Sequence, residues 1–381
     1  MRVLIVQPWI RAGGAELLSV QLAAALEQAG DEAPIAALYV APHGLPAIVS
    51  QRRYVLPPRW LAACFARSRA FTYLVGPAVL LALVVRAAGR ADVLNPHNLP
   101  APLVTAVAGV VRRRPVVWTC NEVPEPLPKD QAVRLGGLES FVWRVGSRLG
   151  GLAARAPQEI LVLSDKTRSA VRAAYGRDAT VVRPGVDLPD FEATHRSGEG
   201  SFGLLFVAKL HPQKDPLLAV RVLAAVRESG LDARLTLVGD GPERASVESL
   251  ARSLGVEHSV RIERHLDLLS LVDRYRSSDA LIVTAGGHQS WGLTPFEALA
   301  AGTPSIISSE AGASEVLGAA DAALVVPRDA AAFAGAVRRL ATEPDLRPRL
   351  IANGQRLNAR LTWERYALEC RDAFGRAVRR A

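Results

Sequence analysis

Two of the four lysines in this 381-residue chain, Lys209 and Lys214, fall within one six-residue loop, although arginine is abundant everywhere else. The loop runs Ala208-Lys209-Leu210-His211-Pro212-Gln213-Lys214-Asp215 and follows the apolar run Phe202 to Val207, which reads as a buried parallel strand. Two ammonium groups at a strand end suit an anionic ligand; an ordinary exposed basic loop is the plainer alternative. A second stretch, Val283 to Ser308, reads as strand, glycine-rich loop, short helix and strand, with Gly286, Gly287 and Gly292 in the loop. Its helix opens on Thr294-Pro295-Phe296-Glu297, where Thr294 suits the N-cap, Pro295 the first turn and Glu297 the return arm of a capping box. A glycine loop feeding a helix N-terminus also offers free amides and partial positive charge to a phosphate or a sugar hydroxyl. By pattern alone, both roles for Glu297 stand.

These two stretches resemble the retaining nucleotide-sugar glycosyltransferases of glycosyltransferase family 4. The family carries a pattern like E-G-F-G-L-P-x-x-E followed by A-x-A-x-G-x-P, and a loop like G-R-L-x-x-x-K-G. The resemblance implies an α/β protein of the GT-B fold, two Rossmann-like domains facing each other across a donor-binding cleft. It implies that Lys209 and Lys214 grip the two donor phosphates and that Glu297 holds the donor ribose. The loop residues Gln289, Ser290, Trp291, Gly292, Leu293 and Thr294 would complete the donor site. The first acidic position of the signature, which touches the donor hexose, falls on Gln289. Glutamine keeps an acceptor and adds a donor but loses the charge, so the departure bears on donor choice, rate or activity itself.

The elements that must position these groups begin at Arg2 to Gln7, a continuous apolar strand, followed by Gly13-Gly14-Ala15-Glu16 and a helix to about Ala29. A strand, a Gly-Gly turn and a helix make the first unit of a Rossmann-like half. A tight turn with no ligand explains the glycines equally well; the resemblance implies that Gly13 and Gly14 face the donor diphosphate. Ile35 to Val40 reads as the second strand. Ala70 to Val85 carries no charge over sixteen residues, too short to span a bilayer, and is expected as one buried helix, with an interfacial segment on anionic lipid as the alternative. Asp92 to Asn98 resembles the strand end where the family places a cleft-facing histidine, which makes His97 a candidate beside the donor sugar. Asn121 and Glu122, after the strand Val116 to Thr119, are implied on the acceptor side, and Pro124 to Pro128 reads as a loop over the cleft.

Ile160 to Leu163 and Thr180 to Arg183 read as late strands, with Ser164-Asp165 capping the helix between them. Pro184-Gly185-Val186-Asp187 resembles the family's N-G-V-D turn. The expected division is residues 1–187 for an acceptor domain, 188–201 for a linker, 202–362 for a donor domain, and 363–381 for a helix crossing back to the first domain. Trp363, Tyr366 and Phe374 of that helix are expected to pack rather than bind. Gly239-Asp240-Gly241-Pro242 resembles a structural turn, and Arg264-His265-Leu266 departs from a glycine that the family often has near the base.

Composition bounds the rest. With 49% apolar and 22% charged residues, the chain is globular. Cys64, Cys120 and Cys370 are too scattered for a disulfide framework or a zinc site. No cofactor or metal is expected, only a nucleoside-diphosphate sugar as co-substrate. Met1 leads directly into a strand, so a cytoplasmic protein is expected, at the inner membrane face if its charge is used there. A net charge of +9 points to an anionic partner such as a membrane surface, a phosphorylated lipid or a nucleotide, or simply to an arginine-rich surface. Nucleic acid is disfavoured, since zinc-finger, ribonucleoprotein and basic-aromatic patterns are all missing. The resemblance implies retaining hexosyl transfer to a glycan or lipid-linked acceptor in bacterial surface-glycan assembly, with a natural product as another acceptor class. A catalytically weakened sugar-nucleotide binder or partner subunit is the rival that Gln289 favours. A phosphorylase on the same fold ranks low, since it would need a cofactor lysine and a far longer chain.

Overall fold

Short apolar runs build the sheets: VLIV at Val3–Val6 and FGLLFV at Phe202–Val207 each occupy the middle of a parallel array and are largely buried. The computed structural model describes residues 1–11, 13–41, 45–123, 145, 148–186, 200–264, 266–286 and 291–381. These divide into two units, one of Met1–Pro126, Phe141–Gly185 and Leu361–Ala381, the other of Val186–Arg360.

In the first unit, β1 (Val3–Val6), β2 (Ile35–Ala36), β3 (Tyr54–Val55) and β4 (Val93–Pro96) form a parallel sheet in the order β3-β2-β1-β4. A parallel bridge between Leu94 and Val116 leads to β5 (Val117–Cys120), β6 (Glu159–Val162) and β7 (Thr180–Val181), which pair in that order. One side of β1 and β4 is covered by α3 (Arg59–Arg67), α4 (Arg69–Leu74), α5 (Gly76–Ala88) and α6 (Ala101–Arg112), through a core that includes Leu4, Val6, Phe65, Leu80 and Val104. Also in this unit are α1 (Gly14–Gln28), α2 (Ala47–Ser50) and α7 (Asp165–Tyr175), the last capped by Ser164, whose hydroxyl accepts from the Thr167 amide.

The second unit is a six-stranded parallel sheet of β8 (Phe202–Val207), β9 (Ala233–Val238), β10 (Val260–Glu263), β11 (Ala280–Val283), β12 (Ser305–Ser308) and β13 (Ala323–Val326). Its helices are α8 (Pro216–Glu228), α9 (Arg244–Ser253), α10 (Leu268–Arg276), α11 (Thr294–Ala300), α12 (Ser314–Ala319), α13 (Ala330–Thr342) and α14 (Leu346–Asn358). The strand order β10-β9-β8-β11-β12-β13 is that of the Rossmann fold, and it reverses between β8 and β11. In the first unit the order reverses between β1 and β4. Loops at the carboxyl ends of these four strands are where such sheets hold ligands.

The last helix, α15 (Trp363–Arg380), belongs to the first unit. Arg376 pairs with Glu159 at 2.6 Å and Arg371 with Asp31 at 3.0 Å, while Tyr366 and Phe374 are fully buried. Gly185 is needed where the chain meets this helix, since a Cβ there would lie 2.3 Å from the Trp363 nitrogen.

Two expectations need correction. Ile35 to Val40 is a regular strand only over Ile35–Ala36; beyond it, Val40 makes an isolated bridge to Ile10. After Gln7, whose amide donates to Ala36, the regular alternation is lost: Leu38 donates to the Pro8 carbonyl and Ile10 to Tyr39. Ala70 to Val85 is likewise two helices rather than one buried helix, parting at Val75 with Pro77 in the first turn of α5, and Leu74 and Val75 are exposed.

Candidate functional site

In the second unit the lysine loop follows β8, and three sets of contacts fix its path. The amide of Leu210 donates to Asp240 and that of Glu243 to Leu210, both at 3.0 Å. The two turn glycines make this approach possible: Gly239 has φ +150°, and a Cβ on it would meet the Ala208 oxygen at 2.0 Å, while a Cβ on Gly241 would meet the Leu210 oxygen at 2.4 Å. Next, the buried Thr284 hydroxyl after β11 lies 2.8 Å from the Lys214 carbonyl and 2.9 Å from that of Asp215. Finally, Asp215 sits in the left-handed region at φ 51°, caps α8 through the Leu218 amide at 3.2 Å, and pairs with Arg328 at 2.8 Å. Arg328 also reaches Glu310 at 3.1 Å. Lys209 is exposed and Lys214 half-buried on this braced backbone.

The loop after β11 returns through Trp291 and Gly292, the glycine at φ +85°. Trp291 is buried and stacks on Phe296 with ring centroids 5.1 Å apart, so its indole serves the core. Gln289 and Ser290 lie outside the described residues, as do Asp187, His265 and the Pro124 to Pro128 run. The capping-box expectation is overturned: α11 begins at Thr294 itself, its N-cap is Leu293, and among the described residues no side chain caps it. Thr294 is already helical, so its hydroxyl is not in the cap position. The half-buried Glu297 instead accepts from the Tyr275 hydroxyl of α10 at 2.8 Å. Burial raises the Glu297 carboxyl above the usual carboxylate range, and the Tyr275 hydrogen bond partly opposes this. A half-buried carboxylate at the start of the helix after β11 can accept hydrogen bonds from vicinal hydroxyls.

In the first unit, Gly13 is the N-cap of α1 and Gly14 its first residue. A Cβ on Gly13 would lie 2.3 Å from a Glu16 carboxylate oxygen, whereas Gly14 is exposed with open space around its Cα. His97 directly follows β4 and is buried; its amide donates to Val6 at 3.1 Å and its carbonyl accepts from the Trp118 indole at 3.0 Å. The Asn95 Nδ2 donates to the Val117 carbonyl at 2.7 Å and to Thr119, which turns its Oδ1 towards His97 Nε2 at 2.9 Å. Nε2 must then carry the hydrogen, leaving Nδ1 as the acceptor. Burial lowers the His97 pKa to about 3, so the ring is neutral at ordinary pH. Nδ1 has no partner among the described residues.

Asn121 follows β5, is buried, and donates to Asn98 at 3.1 Å, with its own Oδ1 unpartnered among the described residues; Glu122 is exposed. Sequence reasoning missed Gln7, which directly follows β1 and is fully buried, with neither atom of its side-chain amide bonded among the described residues. Val6 pairs with Pro96, so Gln7 stands in register with His97. A glutamine ending an otherwise apolar strand was the available signal. Thr284 and Tyr275 were missed too, because their partners are 70 and 22 residues away.

Residues 12–189 match the description Glycosyltransferase Family 4, and residues 189–357 match Glycosyl transferases group 1. A D-inositol 3-phosphate glycosyltransferase of Actinosynnema mirum is 30% identical over 308 residues, which cover 76% of this chain and 70% of that protein. The chain belongs to glycosyltransferase family 4. A GDP-mannose-dependent phosphatidylinositol dimannoside mannosyltransferase of Mycobacterium tuberculosis is 30% identical to this family 4 chain over 202 residues, 50% of this chain and 51% of that one. Among solved structures, Anabaena HepE in complex with UDP and glucose superposes with a TM-score of 0.74 at 17% identity, covering 98% of this chain and 99% of the other. Sucrose-phosphate synthase of Thermosynechococcus elongatus gives 0.76 at 17% identity over the whole of both chains. This family 4 glycosyltransferase therefore has the GT-B fold.

Proposed function

We propose that the chain transfers a hexosyl group from a nucleoside-diphosphate sugar to an acceptor hydroxyl with retention of configuration. The observation that carries this reading is the bracing of the lysine loop by Thr284 at the strand-order reversal of the second unit. Two lysines on a fixed backbone stabilise a leaving diphosphate as the glycosidic bond breaks. The acceptor oxygen bonds to the anomeric carbon on the face the phosphate leaves, and the acceptor proton passes to the leaving phosphate oxygen. No separate protein base is needed for that route. Glu297 takes the ribose hydroxyls, and the neutral His97 accepts from a sugar hydroxyl through Nδ1.

The acceptor is a glycan or a lipid-linked polyol, a reading supported by relatives named for inositol phosphate and phosphatidylinositol mannoside substrates. The chemistry is tested by proton NMR of the product formed from an α-linked donor. An α-linked product is expected; a β-linked product would overturn retention. Gln289, which lacks the charge of the family's glutamate, favours a second reading in which the chain binds donor without turning it over.

A further inference from the structure

The whole net charge of the chain comes from one segment. Residues 33–121 hold ten arginines and a single acidic residue, Asp92, an excess of nine that equals the +9 of the full sequence. The remainder is balanced. The Asp92 carboxylate is itself occupied, accepting from the Arg2 amide at 2.7 Å.

Most of these arginines lie on or beside α3 to α6, the layer covering one side of β1 and β4. Its inner face is apolar and buried, with Phe65, Leu80, Val84 and Val104 against the sheet. Its outer face is apolar as well: Trp60 is 69% exposed, Leu74 83% and Val110 80%. On α5 the exposed positions Ala78, Ala82 and Arg86 recur every fourth residue, opposite the buried Leu80, Val84 and Ala88. Arg59, Arg67, Arg112 and Arg113 are exposed around these side chains. Among the described residues, no carboxylate pairs with any of these four or with Arg86. The last helix is different, since Arg365, Arg371 and Arg376 all meet carboxylates.

We propose that the outer face of α3 to α6 docks on an anionic lipid bilayer. Exposed tryptophan, leucine and valine among arginines that meet no carboxylate among the described residues match an interface whose headgroups are negative and whose depth is apolar. A nucleic acid would meet the arginines but leave Trp60, Leu74 and Val110 without a counterpart. A spanning role is not required, and among the described residues no helix is long and apolar enough to cross a membrane.

The test is co-sedimentation of the full chain with vesicles of equimolar phosphatidylglycerol and phosphatidylcholine, against vesicles of phosphatidylcholine alone. Binding to the anionic vesicles at least tenfold tighter is expected, weakening at least tenfold in about 1 M salt, where charges are screened beyond roughly 3 Å. Arg59→Glu with Arg67→Glu and Arg113→Glu should lower the affinity at least tenfold, and Trp60→Ala with Leu74→Ser about fivefold or more. All five positions are exposed, and a circular dichroism melt checks that each variant folds. Equal binding to both vesicles, no binding, or unchanged binding in either folded variant would overturn the proposal; loss of self-association in the Trp60/Leu74 variant without a change on vesicles would assign the face to a second copy instead. Vesicle binding is read without turnover, so its outcome is independent of the glycosyl-transfer reading.

Discussion

The Thr284 side chain donates to the Lys214 carbonyl at 2.8 Å, joining the loop after β11 to the loop after β8 where the strand order reverses. Thr284→Val keeps the shape but leaves the Lys214 and Asp215 carbonyls without this donor. Losing a buried donor of this kind costs roughly 1–3 kcal/mol. Denaturant unfolding should show that loss, and donor affinity should fall further than stability accounts for at saturating folded protein. Unchanged affinity would mean that the bracing does not serve the ligand.

Lys214→Ala and Lys209→Ala should each weaken binding of a nucleoside diphosphate by about 10- to 100-fold, the scale of a charge-assisted contact. The corresponding nucleoside should bind each variant as it binds the unmodified chain. Calorimetry with the two ligands separates a lost phosphate contact from a damaged fold.

Glu297→Gln tests a charge rather than a shape. The folded carboxyl is raised, so the native state holds its proton more tightly than the unfolded chain does. Its stabilising contribution is therefore fully present below the unfolded value of about 4.5 and is lost as pH rises through the raised value. The glutamine variant should lose less stability between pH 4 and pH 7 than the unmodified chain. Its donor affinity at pH 7 should still fall by about tenfold, because glutamine accepts more weakly from ribose hydroxyls. Melting curves at both pH values and a single titration check the two halves.

His97 has the opposite sign. Burial depresses it to about 3, so the unfolded chain takes up a proton below about 6.5 that the native state refuses. Stability is lost as pH falls from that value, by about 2 kcal/mol at pH 5. His97→Asn should flatten this part of the stability profile. The pH dependence of transfer between 6 and 8 should show no ionisation from His97.

Much of this was legible because it is local. Lysine scarcity marked the 209–214 loop, and glycines that meet neighbouring carbonyls at Gly239 and Gly241 marked a tight turn. Glu297 was legible as important but not in its bonding, since its partner Tyr275 comes from another helix. The capping box failed by one position: Thr294 and Glu297 have the right spacing, but the helix starts at Thr294 rather than after it. Gln7 was hidden because one polar residue at the end of an apolar strand shows no periodicity, and its neighbour His97 is brought in by pairing 90 residues away. Leu74 and Val75 read as core because uncharged runs look buried, whereas the break before Pro77 turns them outward.

The most direct measurement is hydrolysis and transfer from a panel of UDP-, GDP- and dTDP-sugars by the chain as it stands and by Gln289→Glu, without added metal. The proposed glycosyltransferase predicts that at least one donor is turned over by both forms, which would name the donor and make Gln289 a residue that tunes the rate. Turnover by the glutamate form alone would make the chain as it stands a donor binder. Neither binding nor turnover of any donor by either form would contradict a nucleotide-sugar site at the Lys209–Lys214 loop.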